Sequence, residues 1–221
     1  MNYHINTGLI HEEFNKQSPC PLCEIEKIIE EQLVYEFLND AVMEDNTRIL
    51  VNKRGFCSKH FDLLFEGKNK LSLALQISTR TDNMSKLYNV PASPKKRADE
   101  LLRSVETCII CDFLDDSMIK YYKTIAQMYK NEPDFYKELI GTSGFCTKHF
   151  ASLLKYSSLA GKYKKEYVYT LCNIQRRSME SIKNDIASFC FSHDYRSAGK
   201  PLGEAETALN RMRLKLYGRK H

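Results

Sequence analysis

A chain of 221 residues with 43% hydrophobic side chains, 11% aromatics and a formal net charge of +5 can build a core and carries too little charge to stay disordered. Its mild basicity, a pI near 8.7, argues against a nucleic-acid module with a concentrated basic face. No window approaches the ~18 apolar residues of a membrane-spanning helix, and the first residues lack a basic stretch followed by an apolar one, so a cytoplasmic protein without membrane contact is expected.

Residues 1–16 read as an N-terminal segment, with His4 and His11 facing solvent. After Cys23, the residues Ile25, Ile28, Ile29, Leu33 and Phe37 recur at i, i+3, i+4 spacing and predict an amphipathic helix. The polar stretch Glu44–Arg48 breaks the pattern, and Ile49-Leu-Val51 reads as one short extended piece. A second helix carries Phe61, Leu63, Leu64 and Phe65. Gly67 and Asn69 interrupt it, and a third helix runs from Leu71 to Leu87. Two prolines and a basic run between Asn89 and Arg97 mark a linker, placed at 91–103.

The order then replays. Phe113, Leu114, Met118, Tyr122, Ile125 and Tyr129 predict a helix after Cys111, and Asn131-Glu-Pro133 ends it. A short helix spans Phe135 to Ile140, another begins at His149, and a long one runs from Lys164 to Phe189. Gly203 to Tyr217 is an amphipathic candidate with Ala205, Ala208, Leu209, Met212 and Leu216 on one face and Arg211, Arg213 and Lys215 on a basic, solvent-facing one. The expected fold is all-α: two tandem helical repeats, at 17–90 and 104–196, followed by a basic amphipathic tail at 197–221.

The feature that organises these elements occurs twice. Cys20-Pro-Leu-Cys23 is followed after 31 residues by Gly55-Phe-Cys57-Ser-Lys-His60, and Cys108-Ile-Ile-Cys111 is followed after 32 by Gly144-Phe-Cys146-Thr-Lys-His149. The copies sit 88 to 89 residues apart and use six of the eight cysteines. Three thiolates and one imidazole per copy suit tetrahedral Zn²⁺. Disulfides, rare in a reducing compartment, do not account for a histidine at the same spacing in both copies. Two zinc ions are therefore expected, one per copy: Cys20, Cys23, Cys57 and His60 around the first, Cys108, Cys111, Cys146 and His149 around the second. A Cys₃His-ligated iron–sulfur cluster is the metal alternative. Each knuckle sits at a helix start, where free N–H groups and the helix dipole stabilise metal-bound sulfur. The glycine before each CxxH supplies backbone angles other residues avoid, the phenylalanine screens the site, and Lys59 and Lys148 offset the net negative charge of three thiolates around a dication.

Four protein ligands leave no open position, so structural rather than catalytic metal is expected. Cys172 reads as a core thiol. Cys190-Phe-Ser-His193 resembles a third knuckle but has no CxxC left to pair with. Tyr121, Tyr122, Tyr163, Tyr167 and Tyr169 read as core or interface residues. The acidic pairs Glu44-Asp45 and Asp115-Asp116 lie beside no nucleophile, and no phosphate-binding or hydrolase signature is present. The composite expectation is a non-enzymatic zinc-binding helical protein that serves as a scaffold or binds a protein partner, through the C-terminal basic helix unless that helix docks on its own core. A thiol–zinc redox sensor and a nucleic-acid-binding regulator are the alternatives. Oligomeric state is not readable from the sequence.

At these motifs the chain resembles a family of bacterial proteins, mostly from clostridia-like Firmicutes, known as a domain of unknown function (DUF6062). The residues that carry the resemblance are Cys20-Pro-Leu-Cys23, Met43-Glu-Asp45, Leu71-Ser-Leu-Ala-Leu75, Gly144-Phe-Cys146 and the terminal Asp194-Tyr-Arg196, Lys200-Pro201 and Gly203. The resemblance spans nearly the whole chain and implies no activity.

Overall fold

A computed structural model describes residues 7–192 and 203–219. The expectations for His4, His193, His221 and the stretch from Asp194 to Pro201 lie outside the described residues. Within them the chain is all-α, with no strand and eleven α-helices: α1 (Gly8–Asn15), α2 (Pro21–Leu38), α3 (Asp45–Arg54), α4 (Ser58–Glu66), α5 (Lys70–Leu87), α6 (Pro94–Glu106), α7 (Ile109–Asn131), α8 (Phe135–Gly141), α9 (Thr147–Lys155), α10 (Lys164–Ser192) and α11 (Ala208–Tyr217). Short 3₁₀ turns precede α3, α10 and α11.

The helices start where local chemistry allows. Pro21 and Pro94 occupy first-turn positions, where a missing N–H costs nothing and the fixed φ suits a helix. Asn69 caps α5 by accepting from the Ser72 N–H at 3.2 Å, satisfying one orphan donor.

Three elements depart from the sequence reading. Residues 45–54 form helix α3 rather than a break and an extended piece, because Thr47 and Val51, four apart, share the buried face while Ile49 is 62% exposed. The basic run within 94–97 opens helix α6, in which Ala98, Leu101, Leu102 and Val105 recur at i, i+3, i+4 and i+7, the spacing of one helical face, although none of its residues is buried. The N-terminal segment contains α1, held by fully buried Ile10 and by Phe14, whose ring lies 5.5 Å from that of Phe135. His11 on the same helix pairs with Glu138 at 2.9 Å instead of standing free in solvent.

By packing, the chain forms two compact units: Met1–Glu26 with Met118–His221, and Lys27–Ser117. The first contains Phe14, Leu22, Ile25, Ile125, Phe135, Leu139, Phe145, Tyr167 and Leu171 in its core. Tyr129 packs 5.0 Å from Tyr167 and bonds Thr170 at 3.1 Å. The second unit is built on Phe37, Leu38, Val51, Leu64, Leu73 and the Cys108-Ile-Ile110 run. Burial of this kind supplies roughly 1.5–3 kcal/mol per large apolar side chain. Cys172 is exposed rather than a core thiol, as is Cys190, and Tyr169 is 67% exposed.

Candidate metal centres

All four knuckles share one local design. Cys57 and Cys146 are the N-cap residues of α4 and α9, in extended conformation, and Cys20 and Cys108 immediately precede α2 and α7. The second residue of each motif, Cys23, His60, Cys111 or His149, therefore stands at the third helical position. N-cap and third-position side chains meet across the helix mouth, the spacing that a capping box also uses. The Cys57 and Cys146 sulfurs lie 3.3 Å from Nδ1 of His60 and His149.

The eight candidate ligands gather in two groups, and the pairing is crosswise. Cys20 and Cys23 meet Cys146 and His149 in the first unit; Cys108 and Cys111 meet Cys57 and His60 in the second. Each group takes its CxxC from one sequence copy and its CxxH from the other, which overturns ligation within each copy. The second-unit pairing is sealed by the backbone: Ile109 N–H donates to Gly55 O at 3.0 Å and Thr107 Oγ1 to Arg54 O at 2.6 Å.

The geometry suits a tetrahedral ion. A zinc–sulfur distance near 2.3 Å implies sulfur–sulfur edges of about 3.8 Å. Cys23 and Cys146 sulfurs are 3.7 Å apart, and those of Cys57 and Cys111 are 3.8 Å apart. Sulfur-to-Nδ1 distances run from 3.3 to 3.5 Å. These separations are far longer than a disulfide bond. All four residues of the first group are buried, whereas Cys57 and Cys111 of the second are only partly so.

The acid–base balance points the same way. Burial opposes charge on each group, yet the neighbouring His60 imidazole and backbone N–H groups bring the Cys108 thiol down to about 6. Burial likewise opposes a charged imidazole, but the adjoining Cys108 sulfur and Glu30 raise His60 to about 10, and Cys146, Cys20 and Glu26 raise His149 to about 11. Cys111 is pushed up by burial and by the charge on Cys108, and Cys23 is raised by its hydrogen bonds to Cys146 and Cys20. Each cluster thus retains protons that a bound cation displaces.

Two carboxylates missed by sequence reasoning stand behind the histidines, both on α2. Glu30 lies 2.8 Å from His60 Nε2 and also takes the Lys59 ammonium. Glu26 lies 3.4 Å from His149 Nε2 and 2.7 Å from Lys148 Nζ. Each knuckle lysine thus pairs with one of these carboxylates. Burial alone would raise the Glu26 carboxyl, but the His149 and Lys148 partners hold it down at about 2. Such carboxylate–histidine pairs fix ring orientation and raise ligand basicity. Glu26→Gln and Glu30→Gln are each expected to weaken metal retention at their own site about 10- to 100-fold, measured by competition with a chromophoric chelator. The Glu26 contribution to stability is complete above the unfolded carboxyl value, about 4.3, and is lost as pH falls toward 2. The Gln variant should lack that acid-dependent component.

Each CxxH-leading glycine makes room for a cation, the buried Lys215 at one and the half-buried Arg80 at the other. Gly144 has φ +88, and a Cβ there would sit 3.3 Å from Lys215 Nζ; Gly55 has φ +65, and a Cβ would collide with the Arg80 guanidinium. Lys215 donates to Pro19 O and Ser143 O at 2.6 Å each, tying the lead-in of one knuckle to that of the other. Arg80 does the same in the second unit, donating to Asn52 O at 2.9 Å and Ser104 O at 2.6 Å. Lys215 is 3% exposed and so does not belong to a solvated basic face. Its helix α11 packs on α9 and α10, Arg211 pairs with Asp185 at 2.7 Å, and Leu209 and Leu216 point outward. Alternation of charge and apolarity could not reveal this, since a buried lysine that satisfies two carbonyls breaks the pattern.

No helix among the described residues is long and apolar enough to cross a membrane. Neither the curated proteins nor the solved structures contain a match to this chain. The model of a family of unknown function, DUF6062, matches residues 1–221, and the chain belongs to that family.

Proposed function

We propose that the chain is a non-enzymatic helical scaffold, able to bind a protein partner, in which two structural zinc ions hold helix starts together. The single observation that carries this reading is that each group supplies four convergent Cys₃His ligands at tetrahedral separations. Four protein ligands leave no coordination position for substrate or water. Zinc would contribute a neutralising charge and four directional bonds at each site. Lys215, Arg80, Glu26 and Glu30 hold the ligands in register around it. The experiment is elemental analysis of freshly purified protein, with two zinc atoms per chain and no visible colour expected. Iron with a brown chromophore would sink the zinc assignment, and exchangeable solvent on the metal would sink the structural one.

A second reading, a thiol–zinc redox sensor, is favoured by the partial exposure of Cys57 and Cys111 with their sulfurs 3.8 Å apart. Exposed thiolates are the oxidisable ones. Two thiolates would give up two electrons to form a disulfide, and peroxide with two protons would become two waters. Under limiting peroxide, one equivalent of zinc should leave before the second, with a Cys57–Cys111 disulfide found by peptide mapping. Simultaneous release, or earlier loss from the fully buried group, would remove this reading.

A further inference from the structure

The two groups share a local design and differ in one respect. In each, the second cysteine of CxxC faces the cysteine of CxxH across one sulfur edge: Cys23 and Cys146 at 3.7 Å in the first group, Cys111 and Cys57 at 3.8 Å in the second. Cys23 and Cys146 are buried, whereas Cys57 and Cys111 are partly exposed. The knuckles themselves do not account for the difference, because they match in ligand type and spacing.

The end of α11 covers the first edge. Gly218 is buried and closes that helix with φ +74, donating its N–H to Leu214 O at 2.9 Å. A Cβ on Gly218 would lie 3.5 Å from Cys146 Sγ and 3.6 Å from Cys23 Sγ, so the glycine backbone sits over both sulfurs. Its left-handed φ is open to glycine and costly for a branched residue. Four hydrogen bonds or ion pairs hold the segment down. Lys215 Nζ donates to Pro19 O and Ser143 O at 2.6 Å each, Thr147 Oγ1 donates to Lys215 O at 3.0 Å, and Arg219 Nη1 pairs with Glu24 at 2.8 Å. Pro19 and Glu24 flank the CxxC, while Ser143 and Thr147 flank Gly144-Phe-Cys146, so both knuckles are tied on both sides. The second group has the Arg80 clamp and leaves the corresponding edge partly open to solvent.

We propose that residues 215–219 form a strap that closes the first metal centre, so that its thiolates and its ion exchange with solvent more slowly than those of the second. This rests on the reading of both groups as zinc sites and adds that the two are unequal by construction. Chelators, protons and oxidants act on the thiolates they can reach, and the strap stands on the edge that is accessible in the other group.

Alkylation of the full-length protein with iodoacetamide, mapped by peptide mass in the presence of a chromophoric chelator, tests this. In the wild type, Cys57 and Cys111 should be modified before Cys23 and Cys146, and the chelator should take up zinc in a fast and a slow phase. Gly218→Val sets a branched side chain at a left-handed φ and against both sulfurs. It should speed labelling of Cys23 and Cys146 about tenfold or more and leave Cys57 and Cys111 unchanged. Arg219→Gln, which removes only the tie to Glu24, should speed it about two- to fivefold. Tyr217→Ser, on the same segment with its residue 76% exposed, should change neither group. An unaltered circular dichroism spectrum certifies each variant as folded, and Arg219→Gln decides the matter should Gly218→Val fail that check. Similar labelling of both groups in the wild type, no acceleration in a folded strap variant, or equal acceleration in both groups would overturn the proposal. Zinc content of the same samples keeps the two readings apart: absence of zinc sinks the metal assignment, while the labelling order of the reduced, metal-free chain still tests the strap.

Discussion

Replacing Cys23 and Cys146 together by serine should remove one zinc ion per chain and leave the other, whereas replacing Cys23 and Cys57 together should remove both. Crosswise grouping is the reason: Cys23 shares a cluster with Cys146, and Cys57 shares one with Cys111. Ligation within each sequence copy predicts the reverse, so zinc stoichiometry across the two double variants separates the arrangements without a structure. Structural zinc contributes about 10–16 kcal/mol of apparent folding free energy in zinc-finger peptides. Here each unit has a core of its own, so the loss on chelation should be smaller than that and still the largest of any change considered. Loss of helicity confined to one unit is expected for the Cys23/Cys146 variant, read by hydrogen exchange along the chain.

The next largest effect is expected at Lys215. Substitution by methionine keeps the stem and removes the ammonium, leaving Pro19 O and Ser143 O without their donor. An orphaned buried carbonyl costs about 1–3 kcal/mol, partly offset because a buried charge no longer has to be desolvated. A net loss of about 2–4 kcal/mol should appear in urea unfolding of the zinc-loaded protein, with faster zinc loss from the first-unit site. Equal or greater stability would show that the ammonium is a net cost there. The pH dependence has a defined sign. Burial lowers the Lys215 amine from 10.5 to about 8, so the folded chain holds that proton less tightly than the unfolded chain. Its burial cost is fully present below pH 8 and is relieved as pH rises toward 10.5, so this component of stability increases with pH. The wild-type minus Lys215→Met difference should show that slope, and identical slopes would remove Lys215 as its source.

Several elements were legible because their chemistry is local. The i, i+3, i+4 spacing of Ile25, Ile29 and Phe37 belongs to one helix and predicts α2 without reference to anything else. The N-cap geometry of Cys57 and Cys146 is likewise contained in four residues. In α6 a periodic stripe of Ala98, Leu101, Leu102 and Val105 lay behind a proline-bearing basic lead that reads as a linker, and in α3 a polar first turn hid the short buried face of Thr47 and Val51. The carboxylates Glu26 and Glu30 were invisible for a different reason. Each looks like an ordinary charged residue on an amphipathic helix, and only contact with a histidine from elsewhere in the chain distinguishes it.

Ligand type, spacing and helical periodicity are short-range properties, and they mark a helical chain with two CxxC and two CxxH knuckles at helix starts. Which knuckles share a cluster is set by the packing of the whole chain. That choice rests on contacts between residues far apart in the chain, such as Ile109 N–H on Gly55 O and Thr107 Oγ1 on Arg54 O, which join the second CxxC to the first CxxH and which no short-range spacing encodes. The same long-range packing buries Lys215 at one pair of knuckles and sets the half-buried Arg80 at the other, in the spaces that Gly144 and Gly55 leave open.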